Sequence, residues 1–173
     1  HYVLALTVSG TNLFAGTNGA GVFLSTNNGT SWSPVNSGLT NTYPAALAVS
    51  GANLFAGTSG GGVFLSTNSG TSWTHVSSGL SDTNVVCFAV SGSNLFAGTL
   101  GGGVFRSTNS GTSWTVVDSG LTNTHVQAFT VSGSNLFAGT AGGGVFKSTN
   151  SGTNWAPVNT GLTNLNIQAL AAN

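Results

Sequence analysis

Few side chains in this 173-residue chain could do chemistry, and they can be taken one by one. The only charged residues are Asp82, Arg106, Asp118 and Lys147, and there is no glutamate. Most glycoside hydrolysis needs two carboxylates flanking the scissile bond, so Asp82 and Asp118 are the one pair on offer. His75, His125 and the terminal His1 form no His-x-x-x-His pattern, and no cysteine pair or acidic cluster accompanies them. Neither a metal nor another cofactor is therefore expected. Cys87 is the single cysteine. A thiol nucleophile needs a nearby base, and the plain reading of this one is a small buried hydrophobe. The glycine runs Gly60–Gly62, Gly101–Gly103 and Gly142–Gly144 lack a following lysine and precede strand-like rather than helical sequence, so they read as turns and not as phosphate loops. No catalytic residue is expected, and the chain reads as a non-enzyme.

The same scarcity of charge excludes partners. Charged residues make up 2% of the chain, against roughly 25% in an ordinary domain. No basic face exists to neutralise phosphates or to hold an anionic membrane. No apolar run approaches the roughly 20 residues of a membrane helix. Asn, Ser, Thr and Gly stand where charge would be, which leans towards an extracellular or cell-surface protein. The chain starts at His1 without a methionine, and is read as mature, processed or excerpted from something longer.

What must position any functional side chain is a repeat of 41 residues. Asn12–Thr17 recurs unchanged at 53–58, 94–99 and 135–140, and Ser25–Trp32 is tracked by 66–73, 107–114 and 148–155. Within the first unit, Val3–Val8, Leu13–Thr17, Val22–Ser25 and Ser31–Val35 read as strands separated by Gly/Asn turns. Four short strands per repeat near 40 residues predict an all-β propeller of four four-stranded blades. The blades are expected at about 1–41, 42–82, 83–123 and 124–164, in one repeat domain over 1–173, with 165–173 as the first strand of a further blade. In the first strand, Leu6, Leu47, Phe88, Phe129 and Leu170 alternate with Ala5, Ala46, Cys87, Ala128 and Ala169. Alternate residues face opposite sides, so stacked blades should set large side chains against small ones.

In this frame Asp82 aligns with Asn41, Asn123 and Asn164, and Asp118 with Asn36, Ser77 and Asn159. Both then read as swaps for Asn or Ser in solvated loops. His75 aligns with Pro34, Val116 and Pro157.

The block Ser25-x-Asn27-x-Gly29-x-x-Trp32 returns as Ser66, Asn68, Gly70, Trp73; Ser107, Asn109, Gly111, Trp114; and Ser148, Asn150, Gly152, Trp155. It resembles the Asp box (BNR repeat) of sialidase-type β-propellers, Ser-x-Asp-x-Gly-x-x-Trp, with Asn in place of Asp. The resemblance covers the whole chain and implies a structural turn between third and fourth strands, away from the active centre. The Asn is expected to bond backbone N–H two residues on, the Gly to tolerate positive φ, and each Trp to be mostly buried. Sialidases of this family use an arginine cluster, acids and a tyrosine nucleophile. One arginine and no glutamate cannot assemble that site. Asn28-Gly29-Thr30 is the sole N-glycosylation sequon.

The loops that join blades and those between second and third strands share one face in such propellers. The largest internal differences there are Tyr2, Tyr43, Asn84, His125 and Asn166 at one point, and Asn18, Ser59, Leu100 and Ala141 at another. Aromatic and amide groups at a polar groove suit a sugar; exposed loop positions also drift neutrally. Two functions stay open: a binding or structural module, with glycan affinity or self-assembly, and a fragment of a glycoside-acting enzyme whose catalytic residues lie outside this chain. Finally, Ile167–Ala172 is a fifth copy of the first strand. An unpartnered strand seeks a partner, so the expected partners are further copies of the chain or additional blades of a longer parent.

Overall fold

The structure is a computed structural model that describes residues 2–172; the expected outer limits at residues 1 and 173 lie outside the described residues. Every regular element in it is a strand. Blade 1 is β1 (Val3–Ser9), β2 (Asn12–Thr17), β3 (Gly21–Ser25) and β4 (Ser33–Pro34); blade 2 is β5 (Pro44–Ser50), β6 (Asn53–Thr58), β7 (Gly62–Ser66) and β8 (Thr74–His75). Blade 3 is β9 (Val85–Ser91), β10 (Asn94–Thr99), β11 (Val104–Ser107) and β12 (Thr115–Val116); blade 4 is β13 (Val126–Ser132), β14 (Asn135–Thr140), β15 (Gly144–Ser148) and β16 (Ala156–Pro157). Each blade is an antiparallel meander in chain order.

The local chemistry accounts for the meander. Ser9 pairs with Asn12 across a two-residue turn whose first residue, Gly10, has φ +61°. That is the II′ geometry, which matches strand twist and asks for glycine at its first central position. The fourth strand is shorter than the sequence suggests: Ser33–Pro34, not Ser31–Val35. Ser31 and Trp32 belong to the preceding turn, and Val35 donates to the Val22 carbonyl at 2.9 Å beyond the strand's end.

The core lies between blades. Phe14, Val22 and Leu39 from blade 1 meet Leu54, Phe64 and Trp73 from blade 2, and equivalent layers join blades 2 to 3 and 3 to 4. The large-against-small expectation holds. A Cβ on Gly57 would stand 2.5 Å from Val85 Cγ1 and 2.9 Å from Phe88 Cε2. Gly98 is likewise covered by Val126 and Phe129. The second-strand glycines are thus seats for the next blade's first strand.

Two expectations are corrected. Ile167–Ala172 is not a strand. Ile167 N–H bonds the Thr140 carbonyl at 3.0 Å and its side chain covers Gly139, as a first strand's would, but only an isolated bridge, Ala141 to Asn166, precedes it. A strand requires a ladder, and among the described residues no strand pairs with this segment. Burial of the four box tryptophans also differs. Trp73, Trp114 and Trp155 are 4–5% exposed, whereas Trp32 is 38% exposed. Each buried indole sits on the preceding blade, donating Nε1–H to Val35, Val76 or Val117 at 2.7–2.8 Å. Among the described residues no blade packs on Trp32 in this way.

Candidate functional site

The box turns are built alike. Ser25 Oγ accepts from Gly29 N at 2.9 Å, and Asn27 Oδ1 accepts from Ser31 N at 2.9 Å and from the Ser25 hydroxyl at 3.0 Å. The same bonds recur at Ser66/Asn68/Gly70, Ser107/Asn109/Gly111 and Ser148/Asn150/Gly152. The Asn side chain therefore reaches four residues on, not two. The box glycines have φ near +80°, and Asn28, Ser69, Ser110 and Ser151 just before them are also positive, at +54 to +55°. Asn tolerates that left-handed backbone better than Ser; Asn28 is exposed, and the Thr30 hydroxyl of its sequon donates to the Asn27 carbonyl at 2.8 Å. These turns hold the fold and offer no reactive group.

The two-residue Asx bond occurs instead in the linkers that enter each blade. Tyr43 N donates to Asn41 Oδ1, Asn84 N to Asp82 Oδ1, His125 N to Asn123 Oδ1 and Asn166 N to Asn164 Oδ1, all at 2.9 Å. The carbonyls of Tyr2, Tyr43, Asn84 and His125 then accept from Asn18, Ser59, Leu100 and Ala141 at 2.9–3.0 Å. Both variable positions are thereby locked side by side on one rim, blade after blade, by main-chain bonds that leave the side chains free to differ. Tyr2 and Tyr43 are 79% and 50% exposed. The Tyr43 ring lies over Gly19 of the preceding blade, its Cε1 being 3.4 Å from the place of a Cβ there. Asn84 and His125 are half-buried and Asn166 is exposed. Two cavities lie elsewhere, one lined by Val3, Leu6, Ala15, Thr17, Phe23 and Trp32 and the other by Thr130, Ser132, Phe137, Leu170, Ala171 and Ala172, and none of the rim residues lines either.

Asp82 differs from its counterparts in a way the sequence did not signal. Asn41 and Asn123 donate Nδ2–H to the carbonyls of Ser59 and Ala141. A carboxylate cannot donate, and at Asp82 the neighbouring turn presents N–H groups instead: Gly101 N and Gly102 N bond Oδ2 at 2.9 and 2.8 Å. Gly60 and Gly142 have positive φ, and Gly101 does not. One Asn-to-Asp exchange thus redraws the β10–β11 turn. The carboxylate is half-buried and tied, not loosely solvated. Partial burial pushes its pKa up, but the N–H donors of Asn84, Gly101 and Gly102 together outweigh that and hold it below the ordinary 3.8. A lowered folded pKa stabilises the fold above the unfolded value, and the contribution is lost as pH falls through the folded value. Asp82→Asn should therefore flatten the acid limb of the stability–pH curve and return the turn to the form seen in blades 2 and 4. Urea unfolding between neutral and acid pH checks the first, and the Gly101 and Gly102 amide shifts the second.

Three other reactive side chains make contacts within the blades or across a joint. Arg106 bonds the Ser151 carbonyl across the blade 3–4 joint at 3.1 Å. Burial drives the Cys87 thiol up to about 12, against a weaker opposite pull from the Gly98 backbone, and Sγ lies 3.7 Å from the Val126 carbonyl. His75 stands edge-on to Phe64. Among the described residues no group of three or more His, Cys, Asp or Glu is gathered, and no helix is long and apolar enough to cross a membrane.

No protein-family model matches the chain, and no curated protein sequence matches it. Its structure is similar to an ancestral GH74 enzyme, with TM-score 0.69 and 26% identity over 91% of this chain and 24% of the enzyme. It is similar to the extracellular domain of a putative hybrid two-component system from B. thetaiotaomicron, with TM-score 0.78 and 20% identity over 96% of this chain and 24% of that one. The computationally designed Ika8 protein aligns at TM-score 0.71 and 13% identity over 99% of this chain and 52% of the design. The chain spans about a quarter of the enzyme and of the extracellular domain and about half of the Ika8 design, whereas it covers 90% of the computationally designed Ika4 protein, at TM-score 0.68 and 15% identity over 85% of this chain.

Proposed function

We propose that this chain is a non-catalytic propeller module of a secreted or surface protein that binds a glycan on the rim of its blade-entering turns. The observation that carries the reading is the rim itself. The same Asx bond presents Tyr43, Asn84, His125 and Asn166 at equivalent points, with an exposed phenol at Tyr43, an exposed amide at Asn166 and a half-buried amide and imidazole at Asn84 and His125, on a surface nearly free of charge. Such groups stack on sugar rings and bond hydroxyls. In this reading the box turns are Asp boxes whose acid has become an amide, and they serve as scaffold. Non-catalysis is supported by the use already made of one of the two acids and of the guanidinium: Asp82 is taken up by turn N–H groups and Arg106 by a carbonyl. An extracellular location is supported by the likeness to an extracellular domain and by the Asn/Ser/Thr surface.

The likeness to a GH74 enzyme at 26% identity favours one alternative, a fragment of a glycoside-acting enzyme with its catalytic groups outside these residues. A glycan array followed by calorimetry separates the two. The module should bind a neutral oligosaccharide without turnover, and Tyr43→Ala should weaken binding roughly tenfold or more, the scale of one stacking contact. No binding, or binding indifferent to both Tyr43→Ala and His125→Ala, would refute the rim. Turnover of a fluorogenic glycoside would refute the non-catalytic reading.

A further inference from the structure

Each joint between blades is closed at its outer corner by one set of contacts, used three times. The box Trp donates its indole N–H to a Val carbonyl of the preceding blade (Trp73 to Val35, Trp114 to Val76, Trp155 to Val117). Its main-chain N–H bonds a Ser carbonyl two residues further on (Ser37, Ser78, Ser119) at 2.8 Å. The next residue is a glycine, Gly38, Gly79 or Gly120, whose missing Cβ leaves room for the carbonyl of that same Trp.

The chain carries both halves of a fourth such corner, unjoined. At one end is Trp32, 38% exposed, beside a groove of about 420 Å³ lined by Val3, Leu6, Ala15, Thr17, Phe23 and the indole itself. At the other are Val158, 42% exposed, then Thr160 and Gly161; a Cβ on Gly161 would meet nothing within 4 Å. Blade 4 and blade 1 do not pack as successive blades do: β1 packs on β5, β5 on β9 and β9 on β13, with no comparable packing between β13 and β1.

We infer that a second copy of the chain supplies the missing half, Trp32 of each copy seating on Val158, Thr160 and Gly161 of the other, so that two copies close one ring. The two free surfaces are complementary because they are repeats of surfaces already buried against one another within the chain. A front-to-back contact either closes or propagates. Propellers typically have four to eight blades. The four blades described leave the ring open, and within that range whole copies of a four-blade chain give eight blades, or two chains. Lys147 takes the place of Arg106 at this joint, so its ammonium falls towards the Asn28 carbonyl as Arg106 meets that of Ser151. Ile167–Ala172 now occupies the inner part of the blade 4 face. It has no ladder, and it gives way to the second copy's β1, Val3 taking the seat over Gly139 that Ile167 holds. This inference is independent of the glycan reading.

Light scattering on the full chain tests it. At about 100 µM the expected mass is twice 17.1 kDa, and tryptophan emission shifts to the blue as concentration rises and Trp32 leaves water. Trp32→Ala and Gly161→Ala should each weaken association at least about thirtyfold, as loss of a central anchor does, with the circular-dichroism spectrum unchanged. Gly161→Ala is the cleaner probe because its Cβ touches nothing in a single copy. A single-chain mass at every concentration would overturn the inference and leave the open face to further repeats of a longer parent. A ladder of larger masses would overturn the closed ring. A dimer indifferent to both substitutions would overturn its location.

Discussion

Trp114→Ala is expected to lower stability by about 3–5 kcal/mol, the cost of emptying a fully buried tryptophan site, and Trp32→Ala by much less. The four tryptophans occupy equivalent points of equivalent turns, so local sequence predicts one effect for all. The structure separates them. Trp114 is 4% exposed and lies in the layer with Phe55, Leu80 and Phe105, while Trp32 is 38% exposed at the open front of blade 1. Trp114→Ala also leaves the Val76 carbonyl without its indole donor, at a further cost of about 1 kcal/mol or more if that carbonyl stays dry. Urea unfolding followed by far-ultraviolet circular dichroism, at a concentration low enough to keep the chain as single copies, measures both. Equal losses at the two sites would mean that the indole is held by its own blade and not by the one before.

Gly79→Ala should be nearly as severe, and Gly161→Ala mild. Both glycines have φ near +85°, where an alanine costs about 1–2 kcal/mol. At Gly79 a Cβ would also fall on the carbonyl of Trp114, which is main chain and cannot swing aside. The joint between blades 2 and 3 must open to admit it, and the added cost of overpacking brings the total to about 3–5 kcal/mol. Gly161 has open space instead. The difference between the two variants isolates the joint from the backbone strain they share. If Gly79→Ala and Gly161→Ala shift the urea midpoint equally, the tight corner contributes nothing and strain alone explains the glycine.

The repeat, the four-strand blades and the hairpin turns were legible in the residues because each depends on local chemistry. Gly at the first turn position, alternation along β5 or β9 and the box spacing all act within about ten residues. Even the packing of one blade on the next was legible at first order, since Phe88 alternating with Cys87 and Ala89 already says which side is bulky. The variable loop positions were legible too: Tyr43, Asn84 and His125 occupy one equivalent point of the repeat and differ there.

Other features depended on partners that the local sequence does not contain. Burial of Trp73 and exposure of Trp32 are properties of the blade in front, and that blade is present for one and not for the other. Ile167–Ala172 has the composition of a first strand yet forms none, because a strand exists only as half of a ladder. The bond from Asn27 to Ser31, rather than two residues on, follows from the closed geometry of the whole turn, with Ser25 filling its centre. Asp82 is the sharpest case. By alignment it is an Asn-to-Asp exchange in a loop, but the acceptor-only carboxylate reverses which groups the next turn must offer, and Gly101 and Gly102 answer with their N–H. The sequence by itself determined what each blade is. Only the tertiary structure decided which faces are buried, which are left open and where a carboxylate reshapes its neighbour, because those energies arise between segments about 20 to 40 residues apart in the chain and adjacent in space.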